Sequence, residues 1–199
     1  LIFGPLIAII GWFSFFAVAM NGVAPDEAEK FIAELGTNST AIKYLFPAAT
    51  LAFLLGVGGL GFIKNSMRGG PGHYMAGFGF LLVLVGSAGQ LGETSLMIAT
   101  AEAAHNANMA VASSMFAGAQ ATGAITTAIS MLGFALFGVG ILQQKNFSPI
   151  LAGLMIIVGI FTVAGCLIDY ESLLIPIGFL GIVASYIWLG VSLLTKKTE

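Results

Sequence analysis

The stretch GFGFLLVLVGSAGQLGETSLMIATAEAA, residues 77–104, decides the class of this protein. The part before Glu93 carries no charged side chain, and at about 1.5 Å per residue the whole stretch is long enough to cross a bilayer as a helix. Gln90 and Glu93 are three residues apart and therefore share one face of that helix. An uncompensated carboxylate in hydrocarbon costs at least about 2–3 kcal/mol, so Glu93 requires a polar partner or water.

The composition of the whole chain agrees with a membrane protein. Of its 199 residues, 58% are hydrophobic and 8% are charged, whereas about a quarter of the residues in soluble proteins are charged. Uncharged runs of about 20 residues are typical of membrane helices rather than of barrel strands. The net charge of -2 gives no indication of a nucleic-acid partner, and the single Cys166 excludes an internal disulfide. We therefore predict one polytopic, all-α transmembrane domain over residues 1–199.

Six apolar segments predict a six-transmembrane-helix bundle. The segments cover about 1–22, 41–63, 73–101, 107–142, 148–168 and 173–194. The loops on one side carry Lys64, Arg68 and Lys145, and the chain ends with Lys196 and Lys197. The opposite loops carry most of the acids: Asp26, Glu27, Glu29, Glu34, Glu102, Asp169 and Glu171. The positive-inside rule then predicts that both termini are cytoplasmic (N-in/C-in), and we expect a prokaryotic inner (plasma) membrane.

The loop between the first two segments predicts a short amphipathic helix on the outer surface. It begins with Pro25 and the acids that follow, which suits a helix N-terminus. Phe31, Ile32 and Leu35 are spaced to form one apolar stripe.

Two hairpins of the chain resemble each other weakly. Ala88 to Glu93 and Ala164 to Asp169 both run from small residues to an acid, and glycine pairs precede Lys64 and Lys145. One interpretation is a parallel hairpin repeat, in which Glu93 and Asp169 lie at equivalent depth. The other is that small residues and an interfacial acid recur without duplication.

The third and fourth segments are longer than a bilayer requires. The fourth has about 36 residues, or roughly 54 Å if it is one unbroken helix. This hairpin either tilts strongly or projects into the outer space. Its apolar tip needs a cover, and a partner chain is a natural one. The tip residues are Met97, Ile98, Met109, Met115 and Phe116.

The candidate site is a polar pocket centred on Glu93. Its candidate residues are Gln90, Glu93, Gln120, Asp169, Asn21 and His105. On a functional interpretation these residues face an outward-opening cavity that binds a cation or a proton. On a structural interpretation Glu93 hydrogen-bonds a neighbouring hairpin.

Other polar residues do not form a recognisable catalytic or metal motif. His73 and His105 fall at opposite membrane faces, and each is more typical of a solvated interfacial histidine. Small residues at four-residue steps in segment four, namely Ala119, Gly123 and Thr127, favour close helix packing. Tyr170 is typical of an interfacial aromatic residue.

Three functions remain open from the sequence. The first is a non-catalytic accessory or structural subunit of a membrane complex that docks partners, or a second copy, through its outer hairpin. The second is a small transporter or channel-like protein with an outward-facing polar vestibule. The third is a membrane enzyme or a binder of a lipid or quinone. The sequence does not identify a cofactor, and the bilayer is the one partner that its composition establishes.

Overall fold

A computed structural model describes residues 1–15, 20–23, 27–172 and 174–195. Within these ranges the chain is entirely helical, which confirms an α-helical membrane bundle. The helices are α1 (Phe3–Ser14), α2 (Ala28–Thr37), α3 (Ser39–Ser66), α4 (His73–His105), α5 (Met109–Gln144), α6 (Pro149–Ile168) and α7 (Leu174–Thr195).

Five helices, α3 to α7, are long and apolar enough to cross a membrane. The first predicted segment differs, because α1 has only 12 residues and the helix does not run on to residue 22. Asn21 and Gly22 both have positive φ angles and form a turn, a conformation that asparagine and glycine tolerate best. The remainder of that segment, residues 16–19, lies outside the described residues, as do Asp26, Lys196 and Lys197 of the charge pattern.

The long helices and α1 form a closed ring in chain order. α1 contacts α3 and α7, and each later helix of the ring contacts the next one along the chain. The ring is filled by large apolar side chains, among them Phe53, Leu60, Phe134, Phe137 and Tyr186. Lipid tails are as apolar as these side chains, so close packing rather than the hydrophobic effect holds this part together.

Glycines bring the backbones of α4 and α5 into contact along one line, which we call the glycine seam. A Cβ atom at Gly79 would lie 2.5 Å from the carbonyl oxygen of Gly133, and one at Gly72 would collide with the carbonyl of Gly140. The glycines of each helix are seven residues apart, and a seven-residue step returns to nearly the same helix face. Only a residue without a side chain fits at these positions.

The α4–α5 hairpin extends well past the turn that joins α6 to α7. Tyr170 in that turn contacts both Glu93 and Thr127. Beyond this level α4 continues to His105, about 18 Å, and α5 reaches back to Met109, about 27 Å. We call this region, α2 together with residues 94–105 and 109–126, the projecting lobe. The unbroken hairpin matches the length predicted for segments three and four.

The projecting lobe has its own core, to which α2, α3, α4 and α5 contribute side chains, together with Phe15 and Met20. Phe31, Ile32 and Leu35 are buried, as their spacing predicts, and Phe31 stacks 5.4 Å from Phe116 of α5. The stripe therefore faces protein rather than a membrane surface. Of the tip residues, Met97 and Phe116 are buried in this core and Met109 is exposed, so a partner at the tip stays a prediction.

Candidate functional site

Glu93 occupies the next position in the seven-residue row of the glycine seam. The row runs Gly72, Gly79, Gly86 and then Glu93 on α4. Opposite the carboxyl, α5 carries Gly123, whose hypothetical Cβ would lie 2.5 Å from Glu93 Oε1. The glycine thus leaves the space that the carboxyl fills, and the seam ends in a polar contact.

Tyr170 links this carboxyl to α5. The Tyr170 hydroxyl donates to Glu93 Oε1 at 3.2 Å and lies 3.3 Å from Thr127 Oγ1. A hydroxyl that donates a hydrogen bond to the carboxyl can also accept one from the threonine hydroxyl. The Tyr170 side chain therefore joins α4, α5 and the α6–α7 turn. Burial raises the pKa of Tyr170 well above its usual value, and the nearby Glu93 raises this pKa further. Tyr170 therefore remains a neutral donor at physiological pH.

A second hydrogen bond holds the same turn on the hairpin. Gln120 Nε2 of α5 donates to Glu171 Oε1 at 2.7 Å. Asp169 acts within the turn, where its Oδ1 accepts from the backbone N–H of Glu171 at 3.0 Å and its carbonyl accepts from Ser172 Oγ at 2.7 Å. Two adjacent residues of the α6–α7 turn thus bind two different parts of the hairpin, an arrangement that we call the turn latch.

Buried polar groups lie on the same part of α4. Gln90 is buried, with 6% of its surface exposed. Ser87 Oγ, one helical turn away, and Ser130 Oγ on α5 are buried and have no hydrogen-bond partner among the described residues. Thr94 Oγ1, in contrast, lies 3.0 Å from Thr50 Oγ1 of α3. Polar groups that are buried without a partner usually bind water or another ligand.

Two predicted site residues lie apart from Glu93, at the projecting lobe. Asn21 Nδ2 donates to Glu34 Oε2 of α2 at 3.4 Å. His105 Nδ1 lies 3.3 Å from the carbonyl oxygen of Gly36, at the far end of α4. His105 also lines a cleft of about 370 Å³ between α2 and the hairpin tip. The α6–α7 turn thus contacts both Glu93 and Gln120. Asn21 and His105 contact α2 instead.

Sequence reasoning missed the residues that bind the predicted ones. Tyr170 was assigned to the membrane interface, and Thr127 was included only in a stripe of small residues. Glu171 was counted only as a loop charge. Their contacts join residues 43 to 77 positions apart, which no local spacing reveals. The seven-residue glycine row on α4 was the one available signal, because it points along the helix to Glu93.

The hydrogen bonds of the site connect α4, α5 and the α6–α7 turn. No three histidine, cysteine or acidic side chains come together to hold a metal ion within the described ranges. Cys166, which is buried, is the one cysteine of the chain. Comparisons with protein families, with characterised proteins and with solved structures find no match.

Proposed function

We propose that this chain is a non-catalytic accessory or structural subunit of a membrane complex, which docks partner chains through its projecting lobe. The observation that carries the proposal is the lobe itself. It extends α4 and α5 past the α6–α7 turn, and it has a hydrophobic core that is separate from the core of the ring. An extension with its own core is a stable platform outside the bilayer.

One face of the lobe is suited to helix docking. The exposed residues on this face of α5 are small and uncharged: Ala110, Ser113, Ser114, Ala117 and Ala121. Small side chains allow another helix to approach closely, and hydroxyls supply hydrogen bonds across such a contact. The partner that we propose is therefore a helix of another membrane protein chain or of a second copy.

The proposed topology has six crossings with both termini in the cytoplasm of a prokaryote, so that the lobe lies outside the inner membrane. α1 supports a sixth crossing because it runs along α3, with Pro5 against Gly56 and Gly11 against Ala49. The charge pattern supports the orientation. Single cysteines at Lys64 and at Glu29 should be labelled by an impermeant maleimide from opposite sides of the membrane. Labelling of both from the same side would overturn this topology.

Cross-linking tests the docking proposal. Ser113→Cys and Ala117→Cys, each in a chain whose buried Cys166 is replaced by Ala, should cross-link to one partner of defined mass in native membranes. Ile157→Cys is the matched control, because Ile157 is also exposed but lies on α6 at the level of the ring. A purified chain that is monomeric in mild detergent, with no adduct at either lobe position, would contradict the proposal.

Ser87 and Ser130, whose buried hydroxyls have no hydrogen-bond partner among the described residues, favour a second candidate, together with the buried Gln90. This candidate is a small transporter or channel-like protein with an outward-facing polar vestibule. Buried polar groups without partners are typical of a path for water or a small cation. Glu93→Gln and Gln90→Leu variants, assayed for cation or proton flux in proteoliposomes, test this candidate. Flux that both variants abolish would favour the transporter, and a chain without flux would leave the subunit proposal alone.

A further inference from the structure

The end of the bundle opposite the lobe carries cations without acidic partners. Lys64 at the end of α3, Arg68 in the α3–α4 loop and Lys145 at the end of α5 all lie there, and we call this the basic end. Every acid in the described ranges lies in the other half of the bundle or in the lobe. The ion pairs found in those ranges, Lys30 with Glu27 and Lys43 with Glu102, also lie away from the basic end. The positive charge of the basic end is therefore uncompensated within the described part of the chain.

A cleft at this end joins one of these cations to an apolar wall. Its volume is about 310 Å³, and its lining residues are Leu142, Lys145, Phe147 and Pro149. Lys145 ends α5 with a left-handed backbone, φ 57°, and the next helix begins at Pro149. The cleft thus combines a cation, apolar side chains and the partially positive N-terminus of α6.

Further contacts hold the loop of Arg68 close to this cleft. The backbone N–H of Gly72 donates to Gln144 Oε1 at 3.1 Å, and a Cβ at Gly70 would collide with the side chain of Gln144. Two buried atoms at the same end, His73 Nδ1 and Asn146 Oδ1, have no hydrogen-bond partner among the described residues. Exposed Tyr74 marks this level as a membrane interface, since tyrosines concentrate there.

We propose that the cleft between the end of α5 and the start of α6 binds one anionic phospholipid. Lys145 contacts the phosphate, and an acyl chain lies along Leu142 and Phe147. Arg68, whose loop contacts Gln144, adds positive charge at the same end. A negative headgroup complements the uncompensated charge of the basic end. The apolar wall distinguishes a lipid from a free anion, because inorganic phosphate gains nothing from it. This inference does not depend on what the projecting lobe binds.

Native mass spectrometry of the full chain in mild detergent tests the proposal. The probes are phosphatidylglycerol and phosphatidylcholine with identical acyl chains, and inorganic phosphate. The wild-type chain should retain one phosphatidylglycerol in preference to phosphatidylcholine. Lys145→Asn should weaken this retention about fivefold, because a basic residue near a membrane surface contributes about that factor. Asparagine tolerates the left-handed backbone, so the variant removes the charge without adding strain.

Two further variants separate charge from folding. Lys145→Arg should keep the preference, and Lys43→Gln, which removes a cation at the other end, should leave it unchanged. Equal retention of the two lipids, or an unaltered preference in a folded Lys145→Asn chain, would overturn the proposal. Displacement of the lipid by millimolar inorganic phosphate would also overturn it, by identifying a simple anion site.

Discussion

The glycine seam and the projecting lobe are built from the same two helices but are held together differently. In the seam, the backbones of α4 and α5 are in contact, because glycines place no side chain between them. In the lobe, the same helices bury large side chains against α2. In the proposed topology the seam lies in lipid, gains nothing from the hydrophobic effect and relies on close packing. The lobe lies in water there and gains from every buried apolar side chain. The change from backbone packing in the seam to side-chain packing in the lobe occurs at Glu93.

The largest effect is expected in the lobe. Phe31→Ala should destabilise α2 by about 3–5 kcal/mol, because the fully buried ring leaves a cavity when it is removed. Hydrogen exchange of residues 28–37 measures the loss. Phe62→Ala is the matched control, since Phe62 is exposed on α3 and its truncation should leave this exchange unchanged. Slow exchange in Phe31→Ala would show that the lobe does not depend on apolar burial.

A smaller effect is expected in the seam. Gly79→Ala should destabilise the bundle by about 1–3 kcal/mol, because the added methyl group meets backbone atoms of α5 that cannot move alone. Thermal unfolding in detergent measures the change. Gly77→Ala, on the same helix, places its methyl group in ordinary van der Waals contact, 3.8 Å from Lys64 Cε, and should be neutral or slightly stabilising. Equal melting temperatures for the two variants would contradict close backbone packing.

The turn latch should contribute less to the free energy of unfolding than the side-chain packing of the lobe or the backbone packing of the seam. Tyr170→Phe removes the hydroxyl from both Glu93 and Thr127 and should destabilise the chain by about 1–2 kcal/mol. Tyr44→Phe, at an exposed tyrosine, should have no effect in the same unfolding measurement. Equal melting temperatures for the two variants would show that the hydrogen bonds of the latch do not stabilise the contact between the α6–α7 turn and the hairpin.

The pH dependence of the latch is the smallest expected effect under physiological conditions. Because the pKa of Tyr170 is raised in the folded chain, its contribution to stability is complete below about pH 10 and decreases as the pH rises above that value. The tyrosinate absorbance of wild type minus Tyr170→Phe should therefore show no ionisation near pH 10. A normal titration of this one tyrosine would contradict its burial.

Periodicity and composition were sufficient for the helices but not for their partners. Residues 73–101 and 107–142 were predicted as helices from apolar runs, and the stripe of Phe31 in α2 from its spacing, because these signals are local. The turn at Asn21 and Gly22 lies at the end of the first apolar segment, where the Asn-Gly pair is itself a turn signal. Tyr170 could not be assigned to Glu93, since a contact across 77 residues depends on how the ring of helices closes.

The level at which α5 leaves the bilayer tests the central claim most directly. Spin labels along α5 report whether a position contacts water or lipid, through their collisions with a polar relaxation agent or with oxygen. In lipid nanodiscs that each hold one purified copy without a docked partner, we predict water at Ser113 and Ala117 and lipid at Ile125 and Leu132. The boundary between them should lie near Gly123, where Glu93 meets α5. Lipid contact at Ala117 equal to that at Leu132 would place the lobe inside the membrane and contradict the account.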